Sequence, residues 1–375
     1  MSHHPFLTTS PYQRMAELTA AGRSFALATV VRTHGSTPQA IGAKLIVTDD
    51  EQERPFGTLG GGCVEADAIL AAREVLAHGG RSLREYRLTE DLAWNTGLVC
   101  GGTMWILAER GDEALKIAGR DLIEAASDAS AGGAPLAVVT LLAHSNRRYD
   151  FDRRVVVEAD GQIIGTLGDA ALDARAREAA SAQLSQGPTR LLVPDESHEL
   201  LIEPITNRPQ LIVAGGGHVA KAIAKQARLL DFSVTILEDR PEFANPERFD
   251  GATVINANVP TAISQLSYGP QTFLVIATRG HKMDGDCVLA AVRTNARYIG
   301  LLGSRRKTIL IAEMLREVGI SEERIAAVHA PVGLDLGGRT PAEIALAIVA
   351  EITRVRYRGT GVPLREGERK PGFRV

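Results

Sequence analysis

The chain has 375 residues, 45% of them hydrophobic and 23% charged, the composition of an ordinary globular protein. A formal net charge of −3 gives no sign of a nucleic-acid partner recruited by bulk charge, and no apolar run is long enough to suggest a membrane span. Three cysteines in a chain of this length do not make a disulfide framework. The opening residues lack a charged segment followed by an apolar one, so no secretory signal is expected and the cytoplasm is the expected location. In that reducing setting each cysteine serves either packing or chemistry.

Taken in chain order, FALATVVRTHGS (25–36) reads as a strand. A hairpin follows, then GTLGGGC and a helix through VEADAILAAREVLAHGG. Gly60, Gly61 and Gly62 lead directly into Cys63. The pattern recurs in diverged form, with PLAVVTLLAHSN at 135–146 and a second GTLG quartet beginning at Gly165. Both copies keep the quartet, but Asp169-Ala170-Ala171 stand in the second where the first has Gly61-Gly62-Cys63. The turn geometry therefore does not by itself require a cysteine, and Cys63 becomes a candidate for function. At a helix start, backbone amides and the helix dipole favour a thiolate. Glu65, in the same first turn, reads either as a helix cap or as an acceptor for a ligand. Cys100 lies beside two glycines in LVCGGT. Two cysteines without CxxC or HExxH spacing do not supply a zinc site.

The turn-rich stretch IEPITNRPQ marks a boundary near residue 206, giving an N-terminal domain over 1–205 and a second over 206–358. A polar, Gly- and Pro-rich tail covers 359–375. After the boundary, short apolar strands alternate with amphipathic helices: QLIVAG, SVTILE, ATVIN, TFLVIAT, RYIGLLG and IAAVHA are the strands. This predicts a doubly wound parallel sheet, an α/β fold. AGGGHVA follows the first strand and fits G-x-G-x-x-G/A with Gly215, Gly217 and Ala220, with His218 between. The next strand ends at Glu238-Asp239, about the right distance for a ribose-binding acid.

Three later loops fall at predicted strand ends. ATRGHKMDGD holds Arg279, His281 and Asp284; LGSRRKT holds Arg305, Arg306 and Lys307; HAPVGLDLGG holds His329 and Asp335. The three cations open a helix, a suitable place for phosphate. Cys287 lies on an apolar helix face and reads as core. In TPAEIALAIVAEI, Thr340, Pro341 and Glu343 form a helix-start signature. Neither a nucleophile elbow nor a P-loop motif is present, which disfavours a serine hydrolase or P-loop NTPase.

GTLGGGCVEADA, CGGTMWILAE, LIVAGGGHVAKAIAKQARLLDFSVTILEDRPEFAN, ATRGHKMDGDCVLAAV, YIGLLGSRRKTI and HAPVGLDLGGRTPAEIALAIVAEI occur in this order. Together, over about residues 20–357, they resemble the XdhC/CoxI family of xanthine dehydrogenase accessory factors. The resemblance implies an N-terminal mixed α/β XdhC/CoxI domain with an internal duplication, joined to a C-terminal Rossmann-like domain, and usually a dimer. It implies a chaperone rather than a stand-alone catalyst. Such a chaperone binds the molybdenum cofactor (molybdopterin) as cargo, protects it while a cysteine desulfurase adds the sulfido ligand, and passes it to an apo molybdenum hydroxylase. Cys63 matches the family's GGGC motif and is the implied molybdenum contact, with Gly60, Gly61, Gly62 and Glu65 beside it; Cys100 matches the CGG block. One departure is LEDRPEF, where Glu238 takes the place of an expected Asp. Two rival readings remain open: an NAD(P)-dependent oxidoreductase using GGGHVA, and a redox sensor pairing Cys63 with Cys100.

Overall fold

The structure, a computed structural model, describes residues 10–88, 101–143, 151, 153–186, 191–194 and 198–363. They fall into two compact units that divide between Asn207 and Arg208.

The N-terminal unit opens with helix α1 (Pro11–Ala20), started by a capping box in which Ser10 and Gln13 exchange hydrogen bonds. Strands β1 (Phe25–His34), β2 (Lys44–Thr48) and β3 (Phe56–Gly57) follow, then helix α2 (Gly62–His78). Strands β4 (Arg81–Arg87) and β5 (Thr103–Arg110) complete a sheet of order β3-β2-β1-β5-β4. After helix α3 (Ile123–Ala131) the same sequence of elements recurs. Strands β6 (Leu136–Ala143), β7 (Arg154–Glu158) and β8 (Ile163–Gly165) lead to helix α4 (Ala170–Gln186), then β9 (Leu191–Pro194) and β10 (Glu199–Ile205). The second sheet has order β8-β7-β6-β10-β9. The two topologies are identical, so the repeat seen in the sequence is a repeat of the fold. Each half also has a fifth strand, returned to the sheet centre beside the first, which the sequence pattern did not include.

Each sheet has its helix on one face and the other sheet on its second face. Ala26, Ala28, Val30 and Leu45 pack on Val64, Ala68 and Ala72 of α2. Ala137, Val139 and Val155 pack on Leu172, Ala176 and Ala180 of α4. Leu27, Ile46, Val138, Val156 and Ile205 form the layer between the sheets. Burial on both faces explains why β1 and β6 read as continuous apolar runs rather than alternating ones. The layer between the sheets is also polar at its centre. Lys44 reaches Glu203 at 2.8 Å and Arg154 reaches Glu109 at 2.8 Å, all four residues being buried. With Thr29 and Thr140 they line a cavity of about 30 Å³, room for a water molecule.

In the C-terminal unit, strands β11 (Gln210–Ala214), β12 (Ser233–Glu238), β13 (Thr253–Asn256), β14 (Thr272–Ile276), β15 (Tyr298–Leu301) and β16 (Val328–His329) form one parallel sheet. Its order is β13-β12-β11-β14-β15-β16, the dinucleotide-fold arrangement with a switch point between β11 and β14. Helices α5 (His218–Leu229) and α10 (Pro341–Tyr357) cover one face. Helices α6 (Val259–Gln265), α7 (His281–Ala291) and α8 (Arg305–Glu317) cover the other. The doubly wound sheet expected from the sequence is what forms.

Two boundaries differ from the sequence pattern. Helix α7 begins at His281, directly after Gly280 at φ +79°, so His281 and Asp284 belong to its first turn rather than to a loop. Residues 325–326 end the short helix α9 (Glu322–Ala326), started by Ser321, and leave only two residues to β16. Cys287 is fully buried among Val288, Ile311 and Leu315, and burial pushes its thiol up to about 12. Thr340 caps α10 in the expected capping box with Glu343.

Candidate functional site

The GTLGGGC turn joins β3 to α2. Gly60 has φ +105°, and a Cβ there would come within 2.6 Å of Pro38. Glu65 fixes the turn from the helix side. Its Oε2 accepts from the Thr58 hydroxyl at 2.7 Å, the Leu59 amide at 2.7 Å and the Gly61 amide at 3.2 Å. Burial pushes this carboxyl up, but the Thr58 hydroxyl and the two amides outweigh it and hold the group below its ordinary range.

The second copy repeats this bonding. Asp173 takes the Thr166 hydroxyl at 2.7 Å and the Leu167 amide at 2.6 Å. Gly60 N donates to Thr58 at 3.1 Å, and Gly168 N donates to Thr166 at 2.9 Å. Of the two roles open to Glu65, tying down the quartet is therefore the one the repeat shares.

The copies part at the helix start. Asp169 caps α4 with its own carboxylate, accepting from Ala171 N at 2.9 Å and Leu172 N at 3.0 Å. In the first copy the corresponding amides belong to Cys63 and Val64. There Gly61 is the N-cap and no side chain caps the helix. Cys63 is exposed beside those amides. The first copy thus presents a thiol and donor groups where the second fills the place internally. Cys100 lies outside the described residues. Among the described residues no group of three or more His, Cys, Asp or Glu side chains is arranged to hold a metal ion.

The second candidate place is the C-terminal end of the parallel sheet. Gly215, at φ +119°, brings the loop against the neighbouring strand end, since a Cβ there would lie 2.3 Å from Ala277 O. Gly217 caps α5 without a side chain, and His218 is exposed as the first helical residue. Glu238 faces this loop, but its carboxylate is already bound. Oε2 accepts from Gly216 N at 2.7 Å and Arg240 Nη2 at 3.0 Å, and Oε1 from Arg240 N at 3.1 Å and Nε at 2.9 Å. Burial raises this carboxyl, and the Arg240 contacts with the neighbouring hydrogen bonds overcome it, holding Glu238 down to about 2. Arg240 also stacks on Phe243, 3.7 Å from the ring centroid.

The three predicted cations separate. Arg305 and Arg306 are exposed at the start of α8. Lys307 turns inward, pairing with the fully buried Asp284 and donating to Leu302 O at 3.2 Å. Thr278 donates to the other Asp284 oxygen at 2.6 Å. Lys307 therefore ties α8 to α7. Arg279 is exposed and pairs with Asp239 at 3.3 Å. His281 starts α7, and Asp335 lies exposed in the loop before α10.

His329 is held by Glu351, which the sequence pattern did not single out. Glu351 Oε1 lies 3.1 Å from His329 Nδ1, and Oε2 accepts from Tyr298 at 2.7 Å and Gly333 N at 2.9 Å. The Tyr298 and His329 rings lie 4.4 Å apart. Burial raises the Glu351 carboxyl, and these partners together bring it down to about 2. The available signal was periodicity. Glu351 falls on the buried face of α10 with Ile348 and Ile352, where an acid needs a partner.

The XdhC Rossmann domain family matches residues 211–352, and the XdhC and CoxI family matches residues 18–87. The chain belongs to the XdhC and CoxI family. Among proteins similar to this chain, the uncharacterized protein YqeB of Escherichia coli K12 is 33% identical over 224 residues, 56% of this chain. The chain spans only 41% of the length of YqeB. A probable xanthine dehydrogenase subunit of Bacillus subtilis 168 is 28% identical over 335 residues, 88% of this chain and 93% of that one. The molybdenum cofactor insertion chaperone PaoD of Escherichia coli K12 is 24% identical over 341 residues, 91% of this chain and 86% of PaoD. A solved structure of a xanthine dehydrogenase from Bacillus halodurans superposes with a TM-score of 0.71 at 22% identity, covering 95% of this chain and 98% of the other. That likeness is one of fold. No helix of the described residues is long and apolar enough to cross a membrane.

Proposed function

We propose that this chain is a maturation factor for a molybdenum hydroxylase, binding the molybdenum cofactor as cargo and handing it to the apoenzyme. The observation that carries this reading is the difference between the two repeats. One turn is filled by its own Asp169 carboxylate, and the other leaves Cys63 and the adjacent amides open. The molybdenum cofactor carries an anionic phosphate and a metal, and a helix start with a thiol offers donors to the first and a sulfur ligand to the second. Family membership and the names of the B. subtilis relative and of PaoD support the same reading.

In this reading Gly60, Gly61 and Gly62 shape the turn, Glu65 holds it, and Cys63 is the contact for the cargo. Arg305 and Arg306 are the exposed cations at the start of α8 for an anionic group. The chain protects the cargo while a cysteine desulfurase sulfurates it, works as a homodimer and resides in the cytoplasm. The experiment is Cys63→Ala in the full chain, with molybdopterin content and activation of the apo hydroxylase measured together. Loss of both supports the assignment. Unchanged retention and unchanged activation remove Cys63 from the mechanism.

A further inference from the structure

Glu238 and Asp239 both stand at the end of β12 beside the glycine loop, yet only one has acceptor capacity to spare. Glu238 is 2% exposed, and each of its oxygens already accepts two hydrogen bonds. Releasing them would strand a buried carboxylate and detach Arg240, at the cost of breaking a buried charge pair. Asp239 is different. Its side chain is 28% exposed, and its nearest cation contact is the 3.3 Å pair with Arg279, itself 59% exposed. Arg240 Nε lies further from it, at 4.0 Å, and a part-exposed pair such as Asp239–Arg279 contributes little and exchanges readily.

Position adds to this. Asp239 follows β12 and Arg279 follows β14, the strands on either side of β11. The pair therefore straddles the Gly215–Gly217 loop at the switch point, where ligands of such sheets sit. Gly217 has no atom within 4 Å of where a Cβ would lie, so the loop surface there is open.

We propose that Asp239 is the specificity-determining acid of a nucleotide site at this crevice, accepting the 2′- and 3′-hydroxyls of a ribose that carries a diphosphate. Arg279, released from Asp239, turns to the diphosphate. Glu238 shapes the loop and does not touch the sugar. A 2′-phosphate would meet the Asp239 carboxylate, so the site prefers an unphosphorylated ribose. Its residues all belong to the C-terminal unit and none to the GTLGGGC turn, so Asp239→Asn and Cys63→Ala test different residues.

The test is calorimetric titration of the full chain with NAD, NADP and ADP. The expected result is binding of NAD and ADP, with NADP weaker. Asp239→Asn should weaken NAD and ADP roughly ten- to a hundredfold, the value of charge-assisted hydrogen bonds, and remove the preference over NADP. Glu238→Gln should lower thermal stability and shift NAD and NADP alike. If Glu238→Gln does not fold, the Asp239→Asn ratio alone decides. Absence of NAD and ADP binding by the unmodified chain overturns the proposal, as does a preference over NADP that survives Asp239→Asn.

Discussion

Lys44 and Glu203 meet 2.8 Å apart across the two sheets of the N-terminal unit, and Arg154 returns the contact to Glu109 at 2.8 Å. Lys44 and Arg154 begin equivalent strands, each opposite a threonine, Thr29 and Thr140. Glu109 and Glu203 lie opposite Leu27 and Val138 at equivalent points of the central strands. Each half thus gives its cation to the other half's acid. Removing one partner leaves a buried charge, so Lys44→Met should cost about 3–5 kcal/mol. The double variant Lys44→Met/Glu203→Met should recover most of that loss. Urea unfolding of the three proteins checks it, and equal losses in the single and double variants would count against the pairing.

The anchors of the two turns should respond alike. Glu65→Ala and Asp173→Ala each remove the acceptor for a threonine hydroxyl and a backbone amide. Each should destabilise by about 1–3 kcal/mol, measured by thermal or urea denaturation. Cargo retention should fall only for Glu65→Ala. A loss of cargo in both variants would show that retention follows general stability instead.

The helix starts should respond oppositely. Asp169→Ala removes a cap and should cost about 1 kcal/mol without changing cargo retention. Gly61→Asp places a carboxylate at the equivalent open position and should abolish retention. Gly61 has φ +75° and ψ −174°, so any side chain there adds strain of about 1–3 kcal/mol. Gly61→Ala carries the strain without the charge. It should retain cargo where Gly61→Asp does not, as read by copurified molybdopterin.

Acid should weaken the C-terminal unit through two carboxyls. Glu238 and Glu351 are held at about 2, below the ordinary 4.5, because their partners favour the charged form. The unfolded chain then binds these protons first as pH falls. Their stabilisation is complete above about pH 4.5 and is lost as pH drops toward 2. Glu351→Gln should lower stability at neutral pH and flatten its decline in acid. Urea midpoints measured across this range provide the check, and an unchanged acid slope would remove Glu351 as a contributor.

Most of the architecture was legible because the strands are apolar runs and the helices carry clear starts. Thr340 with Glu343, and Gly215 with Gly217, are local signals, and local signals survive in a single sequence. The fifth strand of each repeat was not legible, because β5 joins β1 through pairing distant in sequence. The fate of the charged residues was hidden for a similar reason. Arg305, Arg306 and Lys307 look alike in sequence, and only packing against Asp284 separates the third from the others. Glu238 reads as a ribose acid from its spacing, while its engagement by Arg240 depends on a turn two residues further on.

The bonds from Thr58, Leu59 and Gly61 to Glu65 have a thermodynamic consequence for anything that docks beside Cys63. The turn is ordered by the fold itself, so a ligand arriving there spends none of its binding energy on arranging the backbone. Departure likewise requires no local unfolding. An exposed mooring on a turn already held by hydrogen bonds suits a molecule held for a time and then released.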